Sequence, residues 1–231
     1  MALRHKARTH STPLLVSGFT LVELMVVLSI IAVVTGTVLT HQSTFNKSLV
    51  LANTAYDVGL TLRSAQVYGI GSRVSSGGFA NAGYGLHFER ATPGSFVLFA
   101  DSYPLPSVSS ECHPTSDAGA PDAKPGNCAY DAGQSENVST YAFGNGVTVS
   151  DFCVLALGSW SCAYAEGGTL SSLDIVFARP NPDPFMSVNG TYASGFPISR
   201  ACITLTSRQG GSEFISVSSS GQISAEASSC P

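Results

Sequence analysis

Six cysteines, five histidines and fifteen acidic side chains are the groups in this 231-residue chain with catalytic or ligating chemistry. The cysteines are Cys112, Cys128, Cys153, Cys162, Cys202 and Cys230, and none are paired as C-x-x-C. That spacing argues against a zinc ribbon or a thioredoxin-type dithiol. An even number of widely spaced cysteines suggests disulfides formed in an oxidising compartment. Six cysteines allow fifteen pairings, and the sequence does not choose among them. Proximity favours Cys112–Cys128, Cys153–Cys162 and Cys202–Cys230; six reduced, buried cysteines are the alternative. Beyond the first forty residues the histidines are His41, His87 and His113, with no H-x-x-x-H or H-E-x-x-H spacing. Cys112 and His113 are adjacent, which suits a pair of metal ligands badly. Asp117, Asp122 and Asp131 can be imagined around calcium, but they lack EF-hand spacing, and solvated loop carboxylates are the simpler reading. No G-x-S-x-G elbow occurs. Gly69-Ile70-Gly71 and Gly83-Tyr84-Gly85 lack the rest of a nucleotide-binding loop and read as turns. Trp160, near Cys162, reads as a packing residue. No catalytic residue, metal or cofactor is expected, and the chain is not expected to be an enzyme.

One acidic side chain stands apart. Residues 19–39 read FTLVELMVVLSIIAVVTGTVL, an apolar run whose single charge is Glu23. A helix of that length is roughly 31 Å long, enough to cross a bilayer's hydrocarbon core. A carboxylate at the centre of such a helix costs about 2.5–3.5 kcal/mol, less near an end, and usually marks function. Arg4, Lys6 and Arg8 precede the run without an acid among them. The positive-inside rule therefore places residues 1–18 in the cytoplasm and the remainder outside, in agreement with the disulfide reading. A cleaved secretory signal fits poorly, because the run is long and ends in Thr35-Gly36-Thr37-Val38 without a small-x-small site. A plain single-span anchor fits the length but leaves Glu23 unexplained, unless it snorkels to the interface.

The hexapeptide Gly18-Phe19-Thr20-Leu21-Val22-Glu23 resembles the cleavage and methylation motif of type IV prepilins and pseudopilins. The resemblance implies cleavage between Gly18 and Phe19 by a prepilin peptidase, N-methylation of Phe19, and an assembly role for Glu23. The physics is consistent. Cleavage leaves a cationic amine at the head of an apolar helix, and Glu23 of a neighbouring copy can neutralise it, so two groups costly in lipid become favourable together. Glycine before the scissile bond lets an extended backbone enter a narrow protease site.

The elements that carry these residues follow from periodicity. No proline occurs between Pro13 and Pro93, so the helix can run on past the apolar segment. Leu51, Ala55, Val58, Leu62, Ala65 and Gly69 recur at three- and four-residue spacing and form one stripe for packing on a sheet. Gly69 and Gly71 should stop the helix. Thr35-Gly36-Thr37-Val38 is its weakest stretch by propensity and is expected to bend or melt on assembly. Strands are expected at 84–88, 96–101, 141–143, 147–152, 173–177, 203–206 and 214–218, with a short one at Ile223, separated by Gly, Pro, Ser and Asn. Residues 201–218 read as a hairpin turning at Arg208-Gln209-Gly210-Gly211. Residues 104–136 form a long loop that Cys112 and Cys128 can staple, and 180–184 reads as a rigid surface turn.

The expected fold is α+β: a long N-terminal helix, membrane-spanning then amphipathic, packed on an antiparallel β-sheet head. The expected parts are a cleaved leader (1–18), a membrane or filament-core helix (19–39), its amphipathic continuation (40–71) and an extracytoplasmic β-rich head (72–231). The pattern of 49–70, with Leu62 to Ile70, and the closing 203–223 hairpin are similar to GspH/FimT-type pseudopilins, low-abundance subunits of type II secretion pseudopili or type IV pili. The partners thereby implied are other pilin subunits, prepilin peptidase, an inner-membrane assembly platform and lipid. Some fimbrial relatives bind DNA through a basic C-terminal motif. Here that region offers only Arg200 and Arg208. From residue 40 onward 8 basic and 14 acidic side chains leave a charge of −6, so phosphate is repelled and nucleic acid is not expected as a partner. A DNA- or surface-adhering minor pilin and a non-pilin anchored domain are the competing readings.

Overall fold

The computed structural model describes residues 18–71, 73–74, 78, 81–105, 124–164, 167–180, 182–193, 195–208, 210–225 and 230, with the side chains of 40–47 excepted. Leader residues 1–17 and the loop positions Cys112, His113, Asp117 and Asp122 lie outside the described residues. The chain divides into two compact units, 1–45 and 46–231. Among the described residues one helix, α1, runs over Leu21–Ile70, followed by ten strands.

In the first unit, Leu21–Leu39 is long and apolar enough to cross a membrane, and none of it is buried among the described residues. Two of its hydroxyls are satisfied within the helix: Ser29 donates to the Val26 carbonyl and Thr37 to that of Val34, each at 2.8 Å. Such bonds spare the hydroxyls an unpaired existence in hydrocarbon. The Thr35–Val38 stretch is helical here.

In the second unit the strands form two antiparallel five-stranded sheets rather than one. The first has the order β3(Asn137–Ala142), β2(Ser95–Asp101), β1(Gly83–Glu89), β6(Ser172–Phe177), β7(Pro184–Val188). The second runs β10(Ile223–Ser224), β9(Ser212–Ser218), β8(Ile198–Ser207), β4(Val147–Ala156), β5(Ser159–Cys162). The fold is α+β, as expected. The helical stripe Leu51, Ala55, Val58, Leu62 and Ala65 is buried throughout. It shares one core with Tyr84, Leu86 and Phe88 of β1, Ile175 of β6, and Ile203, Ile215 and Val217 of the second sheet.

Two strands were not legible in the sequence. Strand β5 is four residues, SWSC, and too short to show a period. Strand β7 begins at Pro184, within the stretch read as a turn. Proline is tolerated there because it opens an edge strand. Strand β3 starts at Asn137, earlier than expected, and is largely exposed, so its sequence has no apolar alternation to read. The helix ends where expected, though by a different device. Neither Gly69 nor Gly71 adopts positive φ. Gly69 is needed because a Cβ there would overlap the Phe177 carbonyl. The Gly71 amide closes the last turn on the Val67 carbonyl at 2.9 Å.

Candidate functional site

The helix start is built by Thr20. Its Oγ1 accepts a hydrogen bond from the Glu23 backbone amide at 3.2 Å, which makes Thr20 the N-cap of a helix that begins at Leu21. Thr20-Leu21-Val22-Glu23 thus has the spacing of a capping box. Glu23 also lies in the first turn, where the helix dipole favours negative charge. The sequence reading missed Thr20; the signal was the threonine three residues before the glutamate. Phe19, Glu23, Leu24, Val27 and Leu28 border one shallow apolar hollow of about 260 Å³. Gly18 has open space around it, with nothing within 4 Å of where a Cβ would stand. Phe19 is exposed. An exposed Gly18–Phe19 stretch therefore adjoins a capped helix whose first acidic residue shares a face with Phe19.

The chain carries the prokaryotic N-terminal methylation motif. Residues 15–39 match the family described by those words. The motif supports a type IV pilin-like reading and, with an apolar helix at Leu21–Leu39 long enough to cross a membrane once, a membrane-anchored chain. The match lies within the first unit and does not reach the head. No curated protein and no solved structure matches the chain.

The head, outside the motif, holds the other chemically capable residues. Cys153–Cys162 and Cys202–Cys230 are disulfides, with Cα separations of 4.0 and 5.8 Å. Cys128 is also disulfide-bonded, and its expected partner, Cys112, lies outside the described residues. Asp151, Cys153 and Cys162 place ligand atoms within 4.8 Å of one another. Two of those three atoms are sulfurs already joined to each other, and the Asp151 carboxylate accepts the Ala163 and Tyr164 amides at 3.0 Å each.

The remaining cluster lies on the outer face of the first sheet, beneath residues 124–136. His87 on β1 faces Asp174 on β6 across the ladder, with Nδ1 to Oδ1 at 2.7 Å. The His87 ring packs against Tyr130, their centroids 4.8 Å apart. Burial pushes the Asp174 carboxyl up, while the hydrogen bond and charge of His87 pull it down. Asp101 accepts the amides of Asn127 and Cys128 at 3.0 and 2.8 Å. Burial first, then neighbouring Glu136, hold its carboxyl well above the usual range. Glu136 accepts the amides of Ser102, Tyr103 and Asp131, each at 2.8 Å. Burial nevertheless raises it to about 7. Asp131, bonded to the Asn127 amide side chain at 2.9 Å, is also raised by burial. These acids fasten a covering segment to the sheet. Phe99, Cys128 and Val176 make a second small core beneath it. The sequence showed the loop but not this role, because acids from distant strands meet only in the fold.

Proposed function

We propose that the chain is a minor pilin or pseudopilin subunit. A prepilin peptidase cuts it between Gly18 and Phe19 and methylates Phe19. The mature helix then inserts among other pilin subunits of a type II secretion pseudopilus or type IV pilus, with Glu23 neutralising the Phe19 amine of an adjoining copy. The leader 1–18 stays cytoplasmic and the head lies outside the membrane. Its role is assembly rather than catalysis, and by this reading it is similar to GspH/FimT-type subunits.

The methylation motif at 15–39 carries this reading. A second feature supports it. Along the head-bearing part of α1, Leu49, Tyr56, Leu60 and Val67 are exposed. At 100° per residue they fall on the face opposite the buried stripe. A helix with two apolar faces needs two packing partners, and the head supplies one.

The test is the intact mass of the protein recovered from cells with active prepilin peptidase. Loss of residues 1–18 and gain of one methyl group is the expected result. A full-length or unmethylated chain overturns the proposal.

A further inference from the structure

Cys153 is the direct neighbour of two other cysteines. On β4 it stands opposite Cys162 of β5 and, on its other side, opposite Cys202 of β8. Residues directly opposed in a ladder point to the same face. Cys162, Cys153 and Cys202 therefore form one row across three strands, and Cys202 is bonded in turn to Cys230.

The backbone fixes the spacing of the row. The Phe152 carbonyl accepts the Ala163 amide at 3.0 Å, so the polar groups of Phe152 face β5. Those of the next residue, Cys153, face β8. Cys153 and Cys202 are thus a hydrogen-bonded antiparallel pair, with a Cα separation of about 5.5 Å. That lies within the roughly 4.4–6.8 Å that a disulfide spans. A Cys153–Cys202 bond therefore needs no change of register, only a local approach of the two strands that brings the Cβ atoms from the about 4.5–5.5 Å of an opposed pair to the about 3.5–4.5 Å of a disulfide. Access along the row is graded. Cys162, on the edge strand, is partly exposed, whereas Cys153 and Cys202 are 3% and 1% exposed.

We propose that this row is a thiol–disulfide exchange relay, coupling the accessible Cys162 to the bond that tethers Cys230. The incoming reagent is a low-molecular-weight thiol. Its thiolate attacks Cys162 Sγ, a mixed disulfide forms, and the Cys153–Cys162 bond breaks with Cys153 leaving as thiolate. Cys153 then attacks Cys202 Sγ from within the row. The Cys153–Cys202 bond forms, the Cys202–Cys230 bond breaks, and Cys230 leaves as a thiolate that takes a proton from water. Two disulfides and one thiol enter, and two disulfides and one thiol emerge, so no oxidant or reductant is consumed. The Asp151 carboxylate, within 4.8 Å of both sulfurs, disfavours a thiolate at Cys153 and holds the resting pairing. The relay's outcome is a cross-link between β4 and β8 and a free Cys230.

Two disulfide maps of the full chain test this, each quenched in acid with N-ethylmaleimide and digested with pepsin. In Cys162→Ser, expressed in an oxidising compartment, a Cys153–Cys202 peptide with alkylated Cys230 is expected. Retention of Cys202–Cys230 beside alkylated Cys153 overturns the relay. The wild-type protein treated with reduced glutathione under native conditions supplies the second map and does not depend on the variant folding. Molecules carrying one glutathione on Cys162 should show Cys153–Cys202 and a free Cys230. Glutathionylated Cys162 with Cys202–Cys230 intact overturns the proposal as well.

Discussion

Glu136 shows how a single side chain sets the pH response of the head. It is buried, satisfied by three backbone amides, and still raised to about 7. Between the usual glutamate value and about 7, the folded chain holds a proton that the unfolded chain has released. The stability this confers is complete below the unfolded value and is lost as pH rises through the folded one. Asp101 and Asp174 shift in the same direction. The thermal midpoint of the head should therefore fall between pH 5 and pH 8, by about 2–4 °C per kcal/mol lost for a domain of this size. Glu136→Gln should flatten that slope. It should also lower stability at pH 5 by about 1–3 kcal/mol, because its NH₂ group cannot accept the backbone amide that a carboxyl oxygen, protonated or not, accepts there. A variant with the wild-type slope would contradict the assignment. At the other end of the chain, Thr20 and Glu23 separate two roles that one motif merges. Thr20→Ala removes the N-cap and should cost the helix start about 0.5–2 kcal/mol, read as faster amide exchange over the first turn. By the proposed function, Glu23→Ala should abolish incorporation into fibres, while Thr20→Ala should only weaken it. Equal incorporation of Glu23→Ala and wild type would remove the basis for the amine–carboxylate pairing.

At the scale of elements, α1 has two apolar faces, one buried and one exposed. Truncating the buried face, as in Leu62→Ala, should destabilise the head by about 2–5 kcal/mol in denaturant melts. Charging the exposed face, as in Val67→Arg, should leave the head's melt within about 0.5 kcal/mol of wild type yet reduce fibre incorporation. If Val67→Arg assembles normally, the outer stripe is not a packing surface. The buried stripe was legible in the sequence because a helix that packs on a sheet must repeat at three and four residues. The outer stripe is not legible in the sequence, because exposure cannot be read from periodicity when both faces are apolar. Strand β6 was legible because it is buried on both faces and its run Leu173–Phe177 is apolar but for Asp174. Strand β7 was hidden behind three prolines, and β5 was too short to carry a signal. The division into two sheets also escaped the sequence, since pairing partners such as β4 and β8 lie about fifty residues apart. The Asp101–Glu136 anchorage was invisible for the same reason: each acid looked like an ordinary loop or strand-end carboxylate. In contrast, Gly18 through Glu23 could be read at once, because its chemistry is local and needs no tertiary contact.

For the whole molecule, the division of labour follows from where apolar surface is covered. Among the described residues, none of Leu21–Leu39 is buried. The second unit has its own continuous core, two sheets, and at least two disulfides closed within it. A domain that buries its own core does not need the anchor to fold. A secreted fragment of residues 46–231 should therefore be soluble, monomeric and β-rich by circular dichroism. The exposed stripe of α1 is a liability in that fragment, but its residues alternate with Asn53, Asp57, Arg63 and Ser64, which limits the contiguous apolar patch. Reduction should cost the fragment more than any single surface substitution, because each native disulfide lost removes about 2–5 kcal/mol. The decisive measurement is a pair of thermal melts, oxidised and reduced, on fragment recovered from an oxidising compartment. A cooperative oxidised transition that shifts to much lower temperature on reduction is expected. An oxidised fragment that aggregates or melts without cooperativity would mean that the anchor contributes to folding of the head, and that the two units are not independent.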